Sequence, residues 1–78
     1  MRIVEQIPHP SFKMTLFSTE QYFILQFEAG PMQQAYKFSK DQFPSPTDLK
    51  SKLNDVFLDE VHDLFNQMFL NRKTLLDG

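Results

Sequence analysis

No cysteine occurs anywhere in the 78-residue chain. That absence excludes disulfide staples, thiolate zinc sites, iron–sulfur clusters and cysteine nucleophiles together, and it is compatible with a reducing compartment. Glycine is nearly as scarce, with Gly30 and Gly78 alone. Neither a phosphate-cradling loop nor a dinucleotide fingerprint can be built from two separated glycines. No apolar run approaches the roughly 20 residues that a membrane span requires. The opening stretch Met1-Arg2-Ile3-Val4-Glu5-Gln6-Ile7-Pro8 carries a carboxylate within a short apolar segment and does not read as a secretory signal, so a cytoplasmic location is expected. Basic charge is also in short supply, with eight Lys and Arg against ten Asp and Glu, a net charge of −2. Residues 41–78 hold seven of the ten acids, which argues against a binder of the phosphate backbone.

What the chain does have is phenylalanine. Nine are present: Phe12, Phe17, Phe23, Phe27, Phe38 and Phe43 form a first set, and Phe57, Phe65 and Phe69 a second, nearer the C-terminus. A domain this small buries only about 60% of the surface its unfolded chain exposes, so each buried aromatic counts. Each contributes roughly 2 to 3 kcal/mol of transfer free energy against the cost of ordering the backbone.

The first set follows strand periodicity and the second helix periodicity. Phe12–Phe17 and Tyr22–Glu28 flank the polar loop Ser18-Thr19-Glu20-Gln21, as the two arms of a hairpin. A four-residue loop there pairs Leu16 with Phe23, Met14 with Leu25 and Phe12 with Phe27 on one face. Phe17 then meets Tyr22, and Thr15 meets Ile24, on the other. The Gly-Pro signal in Ala29-Gly30-Pro31-Met32 marks a second turn. Its register pairs Phe23 with Phe38, Leu25 with Tyr36 and Phe27 with Gln34, so the first face continues over a third strand starting near Gln33. Ile3–Ile7 is β-branched and weakly alternating, the candidate for a further edge strand closed by Pro8-His9-Pro10, pairing either within its own sheet or with another chain.

Ser45 as N-cap, Pro46 at the first helical position and Asp48 in the first turn give the best-marked helix start. Leu49, Leu53, Val56 and Phe57 follow at helical spacing, then Val61, Leu64, Phe65 and Met68 on a rotated stripe. Asn54-Asp55 is the candidate cap between them. A short helix near 46–54 and a longer one near 56–72 are expected, with a single curved helix as the alternative and a fraying tail at Thr74–Gly78. The expected fold is α+β, an antiparallel β-meander of three or four strands followed by one or two C-terminal helices packed on one sheet face, in one domain spanning 1–78.

Residues with chemical potential are few. Asp55, Asp59 and Asp63 share one helix face near Glu60 and His62. A calcium site wraps roughly six to eight oxygens from a loop, which a straight row of carboxylates does not do, so this reads first as a solvated acidic face. His9 and His62 are the only imidazoles, and nothing in their spacing defines a metal centre, so no cofactor or metal ligand is assigned. Ser11, Ser18, Ser39, Ser45 and Ser51 lie outside any nucleophile elbow, and no catalytic residue is assigned. The aromatic sheet invites comparison with single-strand nucleic-acid binders, but Lys13, Lys37 and Lys40 are the only basic residues near it.

The segment Ile7-Pro8-His9-Pro10-Ser11-Phe12-Lys13-Met14-Thr15-Leu16-Phe17, followed by a hairpin and a late acidic helix, resembles a family of short bacterial proteins, chiefly of bacteroidete type, with no established function. The resemblance spans most of the chain. It implies a small bacterial cytoplasmic protein and transfers no site residues.

The feature that points toward function is the second sheet face. Phe17, Tyr22 and Ile24 cluster there, bordered by Thr15, Lys37, Lys13, Gln26, Ala35 and Gln33. Helices cover only one side of such a sheet, and an apolar centre with a polar rim on the other side has the composition of a protein interface. The competing expectation is that Ile3, Val4 and Ile7, or Leu75 and Leu76, fold back over it. The functional expectation is a non-enzymatic protein-interaction module, self-associating as a homodimer or binding another protein through Phe17, Tyr22, Ile24, Lys37 and Thr15. The alternative is a small-ligand or metal-binding protein using the acidic C-terminal helix, with nucleic-acid binding the least supported.

Overall fold

The computed structural model describes all of residues 1–78. Four strands, β1 (Arg2–Ile7), β2 (Lys13–Ser18), β3 (Tyr22–Ala29) and β4 (Met32–Ser39), precede the helices α1 (Pro46–Lys50) and α2 (Asp55–Asp77). The strands form one antiparallel sheet in the order β1-β2-β3-β4, the expected meander. The N-terminal segment takes its place in the plane of this sheet, beside β2.

The β3–β4 register is the one the Gly-Pro turn implies, with Phe23 opposite Phe38, Leu25 opposite Tyr36 and Phe27 opposite Gln34. Its loop is shorter than expected, because Ala29 already pairs with Met32 and only Gly30 and Pro31 turn the chain. Gly30 has φ of 60°. A positive φ at the first central residue suits a type I′ or II′ hairpin, and proline at the second, locked near −65°, leaves II′.

The β2–β3 register departs from expectation by two residues. Leu16 faces Leu25, Met14 faces Phe27, and Ser18 faces Phe23, while Phe17 faces Ile24 and Thr15 faces Gln26. A two-residue turn at Glu20-Gln21 causes the shift. Thr19 N–H donates to Tyr22 O at 2.8 Å, and Tyr22 N–H donates to the Thr19 hydroxyl at 3.0 Å, so the ladder extends further than a four-residue loop allows. Both registers put the same side chains on the same face, so the two layers form as expected.

Two helices form, not one curved one. Ser45 Oγ accepts from Asp48 N–H at 3.2 Å to start α1, and Asn54 Oδ1 accepts from Phe57 N–H at 2.9 Å to start α2. The tail does not fray: α2 continues through Thr74, whose hydroxyl donates to Leu70 O at 3.1 Å, as far as Asp77.

The core lies between the inner sheet face and the helices. Phe12, Met14, Leu16, Phe23, Leu25 and Phe27 pack against Leu49 of α1 and Val61 and Phe65 of α2. Phe27 sits at the centre and meets Phe12 edge-on at 5.5 Å and Phe57 at 6.0 Å. Gln34 Nε2 donates to Val61 O at 3.1 Å and ties β4 to the helix.

Candidate functional site

Strand alternation decides what the outer face presents. Opposite the core, β3 displays Tyr22, Ile24, Gln26 and Glu28, β2 displays Lys13, Thr15 and Phe17, and β4 displays Gln33, Ala35, Lys37 and Ser39. β1 adds Ile3 through an irregularity. Its register shifts between Ile3 and Glu5, so Ile3 lies opposite Phe17 while Glu5 lies opposite Leu16 on the inner side. This bulge at Val4 reverses which residues of β1 point outward, as an extra residue in one strand must.

One cross-strand row therefore reads Ile3, Phe17, Ile24, Lys37. Three apolar side chains from consecutive strands stand side by side, and Tyr22 extends the patch toward the β2–β3 turn. Phe17 and Ile24 are half-buried, Tyr22 is 37% exposed and Ile3 is 56% exposed. The Lys37 ammonium lies 4.7 Å from the Tyr22 ring centroid, a cation–π contact that folds the lysine back over the sheet. Thr15 belongs to the same face but is only 3% exposed, flanked by Gln6 and Gln26. It packs rather than presents. Toward the other end of the sheet the surface becomes polar, where Gln26 Nε2 donates to Glu28 Oε1 at 2.7 Å and to Gln33 Oε1 at 3.0 Å.

Neither proposed cover lies over this patch. β1 is a member of the sheet, and Leu75 and Leu76 are 83% and 67% exposed near the end of α2. Ile3, expected as cover, is instead part of the surface. No sequence signal marks the bulge that puts it there.

The other candidates are separated. His9 stacks on Phe12 at 4.1 Å and its Nδ1 accepts from Ser11 N–H, which fixes the Pro8-His9-Pro10 turn, while His62 is exposed on α2. No group of three or more His, Asp or Glu side chains is arranged to hold a metal ion. A shallow groove of about 580 Å³ separates the β1–β2 loop from the β3–β4 turn, lined by Ile7, His9, Phe12, Glu28 and Gly30 among others. No helix is long and apolar enough to cross a membrane. Comparison with protein-family models, with curated proteins and with solved structures yields no match.

Proposed function

We propose that this chain is a non-enzymatic protein-interaction module that works through the outer face of its sheet. The observation that supports this reading is the apolar row Ile3, Phe17 and Ile24 with Tyr22 beside it, left open because both helices lie on the opposite face. Apolar side chains ringed by Lys13, Gln26, Glu28, Gln33 and Lys37 combine desolvation energy at the centre with orienting polar contacts at the rim. A second copy of the chain is the partner favoured here, since a face with both apolar and dipolar character can pack against its own twofold image.

Light scattering across a concentration series tests the reading with Tyr22→Lys combined with Ile24→Lys. The pair of ammonium groups is expected to lower the mass of the assembly while the thermal unfolding transition stays cooperative. An assembly mass unchanged by both substitutions rules the outer face out as the contact.

A further inference from the structure

The two edges of the sheet are not alike. β1 carries the bulge at Val4 and two charged residues, and Glu5 is engaged by Lys50 of α1 at 2.7 Å. Bulges and charges are what blunt an edge against pairing. β4 has neither bulge nor proline, pairs residue for residue with β3 over all eight positions, and has one charged side chain, Lys37. That lysine is folded over Tyr22 and does not project along the edge.

The phase of the ladder shows which backbone groups are free. Ala29 and Met32 flank a two-residue turn and so form a hydrogen-bonded pair, and Lys40 N–H donating to Gln21 O at 3.1 Å confirms the same phase at the far end. Gln34, Tyr36 and Phe38 therefore bond to β3, while the N–H and C=O groups of Gln33, Ala35 and Lys37 point away from the sheet. No turn or loop bond of the chain uses them. On the inner side of the same edge, Tyr36, Phe38, Phe43 and Phe57 are only half-buried, linked by ring contacts at 5.4 to 6.4 Å. An open ladder and an unfinished aromatic layer coincide at β4.

We infer that β4 pairs antiparallel with β4 of a second copy, making a continuous eight-stranded sheet about a twofold axis at Ala35. Charge selects this register. Centring on Ala35 places Lys37 opposite the partner's Gln33, whose own neighbour in β3 is Glu28, so that on pairing the ammonium swings from Tyr22 toward the junction and shares a cross-strand row with that carboxylate. A register centred on Lys37 would oppose two ammoniums, and one centred on Tyr36 offers Lys37 only Ala35 and Gln26 in its row. The Ala35 register also sets Phe38 opposite the partner's Met32 on the inner side, extending the apolar layer across the junction. This contact uses the edge and not the outer face. With both in place, two edge-paired dimers stack by their outer faces into a tetramer.

Hydrogen exchange and light scattering on the full chain test the edge. From micromolar to millimolar protein, the amides of Gln33, Ala35 and Lys37 are expected to slow together by roughly tenfold or more as the assembly forms, while those of Gln34, Tyr36 and Phe38 are slow throughout. Gln33→Lys places like charges across the junction twice by symmetry, and weakens pairing by roughly tenfold. Because the new ammonium also sits beside Glu28 of its own chain, the monomer's melting temperature stays level or rises, so misfolding cannot mimic the result. Tyr22→Lys with Ile24→Lys leaves an edge dimer with these three amides still protected. A chain that is monomeric at millimolar concentration overturns the inference, and so does an assembly in which these amides stay unprotected. Pairing unaffected by Gln33→Lys overturns the register. Loss of all assembly in Tyr22→Lys with Ile24→Lys assigns self-association to the outer face alone.

Discussion

Ile24 and Leu25 are neighbours in β3, both branched aliphatic residues of the same volume, and they lie on opposite sides of the same sheet. Leu25 lies under the helices, shielded from water, and Ile24 is half-open with Phe17 beside it. The inner face forms the buried core, while the outer face, Thr15 apart, is left half-open or exposed. The difference comes from what covers each face: α1 and α2 are both joined to the sheet from the β4 side and settle on one layer. Alternation of side chains along a strand thus assigns successive residues to a covered face and an uncovered one.

The division is broken most forcefully at its stable side. Leu25→Ala removes a fully buried side chain at the centre of the core and is expected to cost about 2 to 5 kcal/mol in chemical denaturation. Ile24→Ala, one residue away, should cost about 1 kcal/mol or less while reducing assembly mass. Equal losses at the two positions would erase the distinction between the faces. Asn54→Ala, which removes the α2 cap, is expected to cost about 1 kcal/mol and to speed exchange in the first turn of α2 without changing the outer-face contact. Smallest is Lys50→Ala. Its ion pair with Glu5 is more than a third exposed on both sides, so solvent screening holds the loss to about 0.5 kcal/mol or less, and added salt should shrink it further.

Which residues share a face was legible in the sequence, because alternation fixes parity. How far β2 slides along β3 was not, since registers two residues apart present identical faces and only the turn distinguishes them. Gly30-Pro31 is a strong enough turn signal to set β3–β4 correctly, whereas Thr19-Glu20-Gln21 is polar without being specific. Its decisive bonds, through the Thr19 hydroxyl and N–H, emerge only in three dimensions. Asn54 announced the break between the helices. The helical tail has no mark in the sequence, because Arg72–Asp77 are all exposed and extend no buried stripe, and no glycine or proline stops the helix before Gly78. Of the outer-face residues, Phe17, Tyr22, Ile24 and Lys37 come together as the alternation implies, Thr15 is buried among them, and Ile3 joins through a bulge that has no local signature.

The 23 residues of α2 extend about 34 Å at 1.5 Å per residue. The molecule measures 44 × 25 × 19 Å, so a rod of that length exceeds the second dimension and must lie close to the first. A free monomer therefore tumbles as a prolate body with its principal helix near the long axis, about which rotation is fastest. Helical N–H bonds run nearly parallel to their own axis, so the amides of α2 sense mainly end-over-end rotation, whereas amides directed across that axis also sample the faster spin. The ratio of transverse to longitudinal ¹⁵N relaxation should be higher over Val61–Met68 than its average over the rest of the chain. Lateral joining of two molecules broadens the particle and should bring the two ratios together.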